Sequence, residues 1–379
     1  MNKKHKVCMY LPPFAGDYSG VCSALFDLGG MICIHDAAGC TGNYTHFDEP
    51  RWYGSHSMVY CTSLRKVDAI LGDDEKLIGK ITKNALERHP KFIAIVGSPV
   101  PNVIGFDFNG VARAVENRTG IPCFGFPTAG IKGSYYDGIL MAYFALTDYY
   151  EKNPEKREPW KDGGTVAIPG ISPLDMHQEV YDSLCGRLTE NGICLMQEQG
   201  MYGSLLFYQY PEKVTLNLVW NQAGLAIAKA MEKKYQTPYI VNFPIGQKQM
   251  SSYLELVREG KTAVFKVLSP KTSRRSGVII ADSVIGDSIR NFLRSENIDC
   301  KLYTIEHEDD VSTYLSDEDT ILSVVKDQKD LLIADPLFIE FSGGVKDQIP
   351  FPQYSVSSRV GKNSYWNYLD ENKWLEHDL

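Results

Sequence analysis

Five short apolar runs constrain what this chain can fold into more than any other feature. Each is continuous rather than alternating, and each stops at glycine, proline, serine or aspartate. They are Phe92–Val96 before Gly97-Ser98-Pro99, Val166–Ile168 before Pro169-Gly170, Tyr239–Val241 before Asn242-Phe243-Pro244, Val278–Ile280 before Ala281-Asp282-Ser283, and Leu331–Ile333 before Ala334-Asp335-Pro336. A strand that is apolar on both faces belongs in a parallel sheet covered on both sides. Helical patterns fall between the runs, most clearly at Glu75–Arg88, Asn109–Thr119, Asp175–Asn191, Gln222–Tyr235 and Asp287–Glu296. Alternating strand and helix predicts an α/β architecture, and the repetition predicts three doubly wound units. Polar breaks at Glu151–Gly164 and Lys261–Ser276 divide them into residues 1–155, 156–265 and 266–379.

Ligands of such sheets bind outside the carboxyl ends of the strands, so the loops that stop the runs are where a site is expected. Two cysteines near the start stand in glycine-punctuated turns: Cys22 in Tyr18-Ser19-Gly20-Val21-Cys22, and Cys40 in Asp36-Ala37-Ala38-Gly39-Cys40-Thr41-Gly42. Glycine neighbours let the backbone approach a bulky inorganic partner, and thiolates at loop positions hold iron–sulfur clusters. A free cysteine is also an ordinary small buried hydrophobe, and the residues alone leave both readings open.

Nine cysteines at irregular spacing with no CxxC suit neither a disulfide framework nor a zinc ribbon. No apolar run approaches the roughly 18 residues of a membrane span, and Val7–Leu11 is too short for the core of a secretory signal. With 39 Lys plus Arg against 47 Asp plus Glu, the net charge of −8 argues against a nucleic-acid footprint. The expectation is a soluble, cytoplasmic chain that binds neither nucleic acid nor membrane.

Familiar motifs fail. Gly72-Asp73-Asp74-Glu75-Lys76-Leu77-Ile78-Gly79-Lys80 looks like a phosphate loop, but its glycines are too far apart, Ile81 replaces the hydroxyl residue, and three acids would repel phosphate. No GxGxxG follows a strand, and neither HExxH nor GxSxG occurs. His35, His46 and His56 form the one histidine cluster near Cys40, open either to a zinc or iron site or to ordinary solvated and core roles.

The order of segments is more informative. It runs Cys22-Ser23-Ala24-Leu25, Gly39-Cys40, Phe47-Asp48-Glu49-Pro50-Arg51, Thr62-Ser63-Leu64, Ala69-Ile70-Leu71-Gly72 and Lys76-Leu77. Pro99-Val100-Pro101-Asn102-Val103-Ile104-Gly105 and Pro127-Thr128-Ala129-Gly130-Ile131-Lys132-Gly133 follow, then Met231-Glu232-Lys233-Lys234-Tyr235 with Pro238, Phe243-Pro244-Ile245-Gly246, Asp330–Pro336 and Ile349-Pro350-Phe351. Across nearly the whole chain this order resembles the component 1 subunits of nitrogenase and their relatives, which include dark-operative protochlorophyllide reductase, chlorophyllide reductase and the nickel-sirohydrochlorin reductive cyclase.

The resemblance implies three doubly wound, Rossmann-like domains with parallel sheets around a central cleft, and clusters at the interface of paired subunits. Cys22 and Cys40 match the family's first two cluster cysteines. The third position falls beside Pro99, where there is no thiol and Ser98 is a poor substitute; Cys61 is a spare candidate. Two cysteines per chain, doubled by two-fold symmetry, give the four thiolates of one 4Fe–4S cluster bridging two subunits. The implied partners are a second copy or a related component 1 subunit, as homodimer or heterotetramer, and a transiently docked ATP-dependent iron protein. Trp220 and Ser355 stand where the family's molybdenum-iron cofactor is held by Cys and His, so no such cofactor is expected.

Four further residues, Arg51, Lys132, Tyr135 and Ser172, are assigned to cofactor binding, each with an ordinary alternative. Arg51 stabilises an anionic cluster or pairs with Asp48 or Glu49. Lys132 meets an anionic substrate or is a solvated turn lysine. Tyr135, with Tyr136, lines an aromatic cavity or the core. Ser172 and Asp282 bind a ligand at strand ends or cap the next helix. The functional expectation is an electron-receiving reductase subunit with an unidentified substrate. A non-catalytic scaffold or carrier for metallocluster assembly, and a cluster-free small-molecule binder, are the alternatives.

Overall fold

All strand pairings within the sheets are parallel, as continuous apolar runs require. The structure is a computed structural model and describes residues 8–12, 14–53, 57–160, 164–196, 204–266, 275–307, 309–328 and 330–351. It contains three parallel sheets.

The first is built from β1 (Met31–His35), β2 (Met58–Cys61), β3 (Ile93–Gly97) and β4 (Cys123–Phe126), in the order β2-β1-β3-β4. The chain therefore winds one way from β1 and then the other, with its switch point between β1 and β3. Around this sheet lie α1 (Asp17–Leu25), α2 (Gly39–Asn43), α3 (Lys66–Leu71), α4 (Asp74–Arg88), α5 (Pro99–Val103), α6 (Phe108–Thr119) and α7 (Tyr135–Lys152). Both faces are covered, by α1 and α7 on one side and by α4 and α6 on the other.

The second sheet has β5 (Val166–Ala167), β6 (Leu216–Val219), β7 (Tyr239–Val241) and β8 (Ala263–Val264) in sequential order. An isolated parallel bridge of Leu195 on Val166 extends it beyond β5, so the winding again reverses, between β5 and β6. The third sheet, of β9 (Arg275–Ile280), β10 (Ile298–Thr304), β11 (Thr313–Tyr314), β12 (Leu331–Ala334) and β13 (Asp347–Pro350), runs β11-β10-β9-β12-β13 and switches between β9 and β12. The second and third sheets share one continuous apolar core.

Cys22 was expected in a turn, and here the structure corrects the sequence. Gly20 and Cys22 lie inside α1, all nine of whose residues are buried. Glycine is there for close approach rather than for turning. A Cβ at Gly20 would sit 1.8 Å from the Tyr135 carbonyl oxygen, and one at Gly138 would sit 2.0 Å from the Asp17 carbonyl oxygen. The backbones of α1 and α7 are in direct contact. Asp17 fastens the same helix to the loop after β4, accepting N–H bonds from Ala129 and Gly130.

The start of the chain is latched to the third sheet. The Glu318 carboxylate, at the first turn of the helix Glu318–Asp327, accepts the backbone N–H groups of Met9, Tyr10 and Leu11 at 2.9, 2.8 and 2.7 Å. Leu11 enters the apolar core on that sheet, and Phe14 meets Phe338 edge-on at 6.1 Å.

Candidate functional site

The switch point of the first sheet is organised by one side chain. Asp36, the residue after β1, is buried, and its carboxylate accepts the N–H groups of Ala38 and Thr41, both at 3.0 Å. These bonds hold Ala38 at a φ of 104° and place Cys40 at the second position of α2. The Asp36 carbonyl accepts the Leu64 N–H at 2.8 Å and the Cys61 thiol at 3.4 Å. Cys61 ends β2 opposite Ile34 of β1. Cys40 and Cys61 are both half-buried. Burial, with the Asp36 charge, pushes the Cys40 thiol up to about 11 against the opposing hydrogen bond to Tyr18 of α1.

Cys22 is placed differently. It is fully buried, and its thiol is raised far above the ordinary range by burial and then by the carboxyls of Glu49 and Asp48. The Cys22 thiol opens on no surface of the single chain. A metal group at this edge would meet the half-buried thiols of Cys40 and Cys61, whereas the thiol of Cys22 is enclosed. The position expected for a third ligand holds Ser98, which is buried and donates to the His35 carbonyl at 2.9 Å, and Pro99, which starts α5.

His35 and His46 are placed in different settings. His35 is buried with Nδ1 2.8 Å from the Thr62 hydroxyl and its ring 4.4 Å from Phe106; burial lowers it to about 4, so it is neutral at pH 7. It walls a cavity of about 330 Å³ shared with Thr62, Lys76, Lys80 and Asp107, the last turn of the failed phosphate loop among them. His46 is exposed and bonds the Gly42 carbonyl at 2.8 Å, and His56 lies outside the described residues. Among the described residues, no three His, Cys, Asp or Glu side chains of one chain are arranged to hold a metal ion.

The four residues assigned to cofactor binding are dispersed. Arg51 takes the pairing alternative, with Asp27 as an unforeseen partner: its side chain is 8% exposed and meets Glu49 at 2.7 Å, Asp27 at 2.8 Å and the Phe26 ring at 4.7 Å. Those contacts commit it to bracing α1. Lys132 is exposed and bonds Asn102 of α5 at 3.0 Å. Tyr135 is wholly buried in the core at the start of α7. Ser172 is buried and donates to Asp175 at 2.7 Å, away from solvent.

Sequence reasoning missed a second polar centre, where the switch points of the second and third sheets meet. Asp175 accepts from the hydroxyls of Ser172 and Tyr136 and from Asn221 at 2.9 Å. Asp282 caps the helix Ser283–Ser295 and accepts Gln222 N–H from the second sheet's side at 2.8 Å. Glu306 follows β10. Burial foremost, and then their mutual repulsion, lifts Asp175 to about 7 and Glu306 to about 8, while burial against several N–H bonds leaves Asp282 at about 6. Two signals were legible, since Ser172 and Asp282 each follow an apolar run. The convergence was not, because the three acids come from distant segments.

These acids have a stability consequence. Below the ordinary glutamate range both folded and unfolded chains hold the Glu306 proton, and its contribution is fully present. As pH rises the unfolded chain releases first, and the contribution is lost until the folded group ionises near pH 8. The ceiling is about 1.4 kcal/mol per pH unit for one such group. Urea unfolding of the wild type at pH 5 and pH 8 is expected to show falling stability, and Glu306→Gln is expected to flatten the fall. Parallel profiles for the two proteins would show that Glu306 does not titrate in this window.

Trp220, at the end of β6, is wholly buried. Its indole N–H donates to the Tyr253 hydroxyl at 3.2 Å, and its ring meets Tyr181 and Phe243 edge-on. Ser355 lies outside the described residues.

A sequence profile of the family described as nitrogenase component 1 type oxidoreductase matches residues 17–262, well over half of the chain. The chain is 28% identical over 213 residues to the nitrogenase iron-molybdenum cofactor biosynthesis protein NifE of Clostridium pasteurianum, covering 55% of this chain and 44% of that protein. It is 25% identical over 285 residues to the nitrogenase molybdenum-iron protein alpha chain of Methanosarcina barkeri, covering 71% of this chain and 50% of that one. It thus spans about half the length of the curated relatives it matches. Its fold is similar to that of nitrogenase Cp1 solved at pH 6.5, with a TM-score of 0.69 at 15% identity over 100% of this chain and 94% of that one.

Proposed function

The chain belongs to the nitrogenase component 1 type oxidoreductase family, and on that premise we propose that it is a subunit of a nitrogenase-like reductase. Two chains, identical or related, pair through the carboxyl end of the first sheet. Each offers thiolates to one 4Fe–4S cluster between them, and an ATP-dependent iron protein docks on the pair as the electron donor. A cluster held there supplies one-electron redox capacity. The chain's own part is to position the thiolates, close the site by pairing, and hold protons for the reduction of a substrate not yet identified.

The observation that carries this reading is the Asp36-centred turn, which presents Cys40 at an edge rimmed by apolar side chains. Val100, Val103 and Ile104 of α5 are 45, 79 and 46% exposed, and Ile131 is 70% exposed. The Lys132–Asn102 bond ties the Ile131 loop to α5. Apolar surface of this kind is characteristic of a protein-binding face. The carboxyls of Glu306 and Asp175, protonated or half-protonated near pH 7, are proton donors of the kind a reduction consumes. No described helix is long and apolar enough to cross a membrane.

Scaffolding of a metallocluster or cofactor during its assembly is the second reading. It is favoured by the curated relatives, several of which are named as iron-molybdenum cofactor biosynthesis proteins. The two separate in one anaerobic assay with an iron protein, ATP and reductant. Turnover-linked ATP hydrolysis supports the reductase, whereas stoichiometric transfer of metal to an acceptor protein without turnover supports the scaffold.

Neither reading includes dinitrogen reduction. Trp220 offers only an N–H donor already bonded to Tyr253, and no cysteine occurs between Cys194 and Cys300. Protein isolated from its native host is expected to carry no stoichiometric molybdenum or vanadium by elemental analysis; one such atom per chain would overturn this.

A further inference from the structure

We propose that Cys61, and not Cys22, joins Cys40 as the second thiolate that each chain offers to the shared cluster. The assignment rests on the cluster reading above and deepens it.

Three observations carry it. The first is placement. Cys61 is the last residue of β2 and pairs with Ile34 of β1, while the Thr62 N–H bonds the Ile34 carbonyl at 3.1 Å. It therefore stands at the carboxyl edge of the sheet, one strand over from the turn that carries Cys40. Asp36 anchors both segments at once. Its carboxylate takes the N–H groups of Ala38 and Thr41, on either side of Cys40, and its carbonyl takes the Cys61 thiol and the Leu64 N–H. The two half-buried cysteines are thus fixed to one rigid residue and share the edge on which a second subunit would sit.

The second is chemistry. The Ser63 N–H donates to the Cys61 sulfur at 3.3 Å, and Ser63 is held at a φ of +54° while it does so. Backbone N–H bonds to cysteine sulfur stabilise the thiolate and help set the potential of iron–sulfur clusters. A serine in the left-handed region costs free energy, and the surrounding structure maintains it with the N–H aimed at sulfur. As a ligand Cys61 would give its proton to solvent and could no longer donate to the Asp36 carbonyl, while the Ser63 N–H would still be placed to donate to its sulfur.

The third is exclusion. Cys22 has 0% exposure, lies mid-helix in α1, and is enclosed on the side of Tyr44, Asp48 and Glu49. A cluster could reach Cys22 only if the segment of Tyr44, Asp48 and Glu49 moved off α1.

The experiment compares wild type, Cys61→Ala and Cys22→Ala, each reconstituted anaerobically with iron and sulfide. The readouts are iron per chain, thiolate-to-iron charge-transfer absorption and sedimentation, with thermal melting of each iron-free protein as the check on folding. Wild type is expected to hold about two irons per chain, the share of a four-iron cluster divided between two chains. Cys61→Ala is expected to lose the iron and absorption and to shift toward monomer, with an unchanged iron-free melt. Cys22→Ala is expected to keep the iron. Full iron in Cys61→Ala overturns the assignment, and so does iron loss in a Cys22→Ala protein that melts like wild type. A wild type that takes up no iron overturns the cluster reading itself, a result distinct from either.

Discussion

Cys40→Ala is expected to take the anaerobically reconstituted protein from about two irons per chain to almost none, and to abolish the thiolate-to-iron absorption in the visible. The fold should survive. Cys40 is half-buried against Tyr18, and removing one sulfur from a partly solvated position costs little packing. The pair of subunits should weaken as well, because a ligand bound only by the paired state stabilises that state by mass action. Sedimentation of the variant should match that of wild type bleached by oxygen. Iron analysis decides the matter: a variant with full iron content would remove Cys40 from the site. A wild-type value near four irons per chain would mean either an eight-iron cluster between the chains or one four-iron cluster in each.

Gly20→Ala is expected to be among the most damaging single substitutions in the chain. The added Cβ would stand 1.8 Å from the Tyr135 carbonyl oxygen, well inside van der Waals contact, and the obstacle is backbone rather than a flexible side chain. Relief requires α1 to move off α7, and α1 carries the bonds that organise the cluster edge. Ser19 donates to Asp48 at 2.7 Å, Ser23 to Glu49 at 2.9 Å, and Tyr18 reaches Cys40. A cost of about 3 kcal/mol or more is expected, with loss of iron binding as a second effect. Gly79→Ala is the matched control. That glycine is exposed within α4 with nothing near its would-be Cβ, so alanine should stabilise by about 0.5–1 kcal/mol. Urea unfolding of the two variants should move in opposite directions. A Gly20→Ala protein within 1 kcal/mol of wild type would mean that α1 and α7 do not meet backbone to backbone.

The same glycine shows why part of the fold was legible and part was not. Runs such as Tyr239–Val241 and the helix Gln222–Tyr235 stand in the structure with the bounds their patterns gave, because burial on both faces and a clean end signal are local properties. Gly20 reads locally as punctuation, but its cause is a helix more than a hundred residues later. β10 (Ile298–Thr304) escaped for a different reason: it alternates buried and exposed residues beside a two-residue neighbour, so no continuous run marks it. At the site, the glycine-flanked setting of Cys40 was readable, although it stands in α2 rather than in a turn, whereas the enclosure of Cys22 depends on Tyr44, Asp48 and Glu49. The commitment of Arg51 depends partly on Asp27, 24 residues away. The acidic junction depends on three segments that only the tertiary fold brings together.

The latch between Glu318 and the backbone of Met9, Tyr10 and Leu11 bears on how the chain is made. Leu11 and its acceptor are 307 residues apart. At a synthesis rate of about 5–20 residues per second, about 15–60 s pass before the ribosome delivers the carboxylate that fastens Leu11. During that interval the first sheet can complete itself while the stretch before it waits, its apolar Leu11 and Phe14 without their partners on the third sheet. The order of emergence from the ribosome is thus the reverse of the order of closure. The earliest residues described are among the last to be secured, and a nascent chain shields them only when its final sheet has formed.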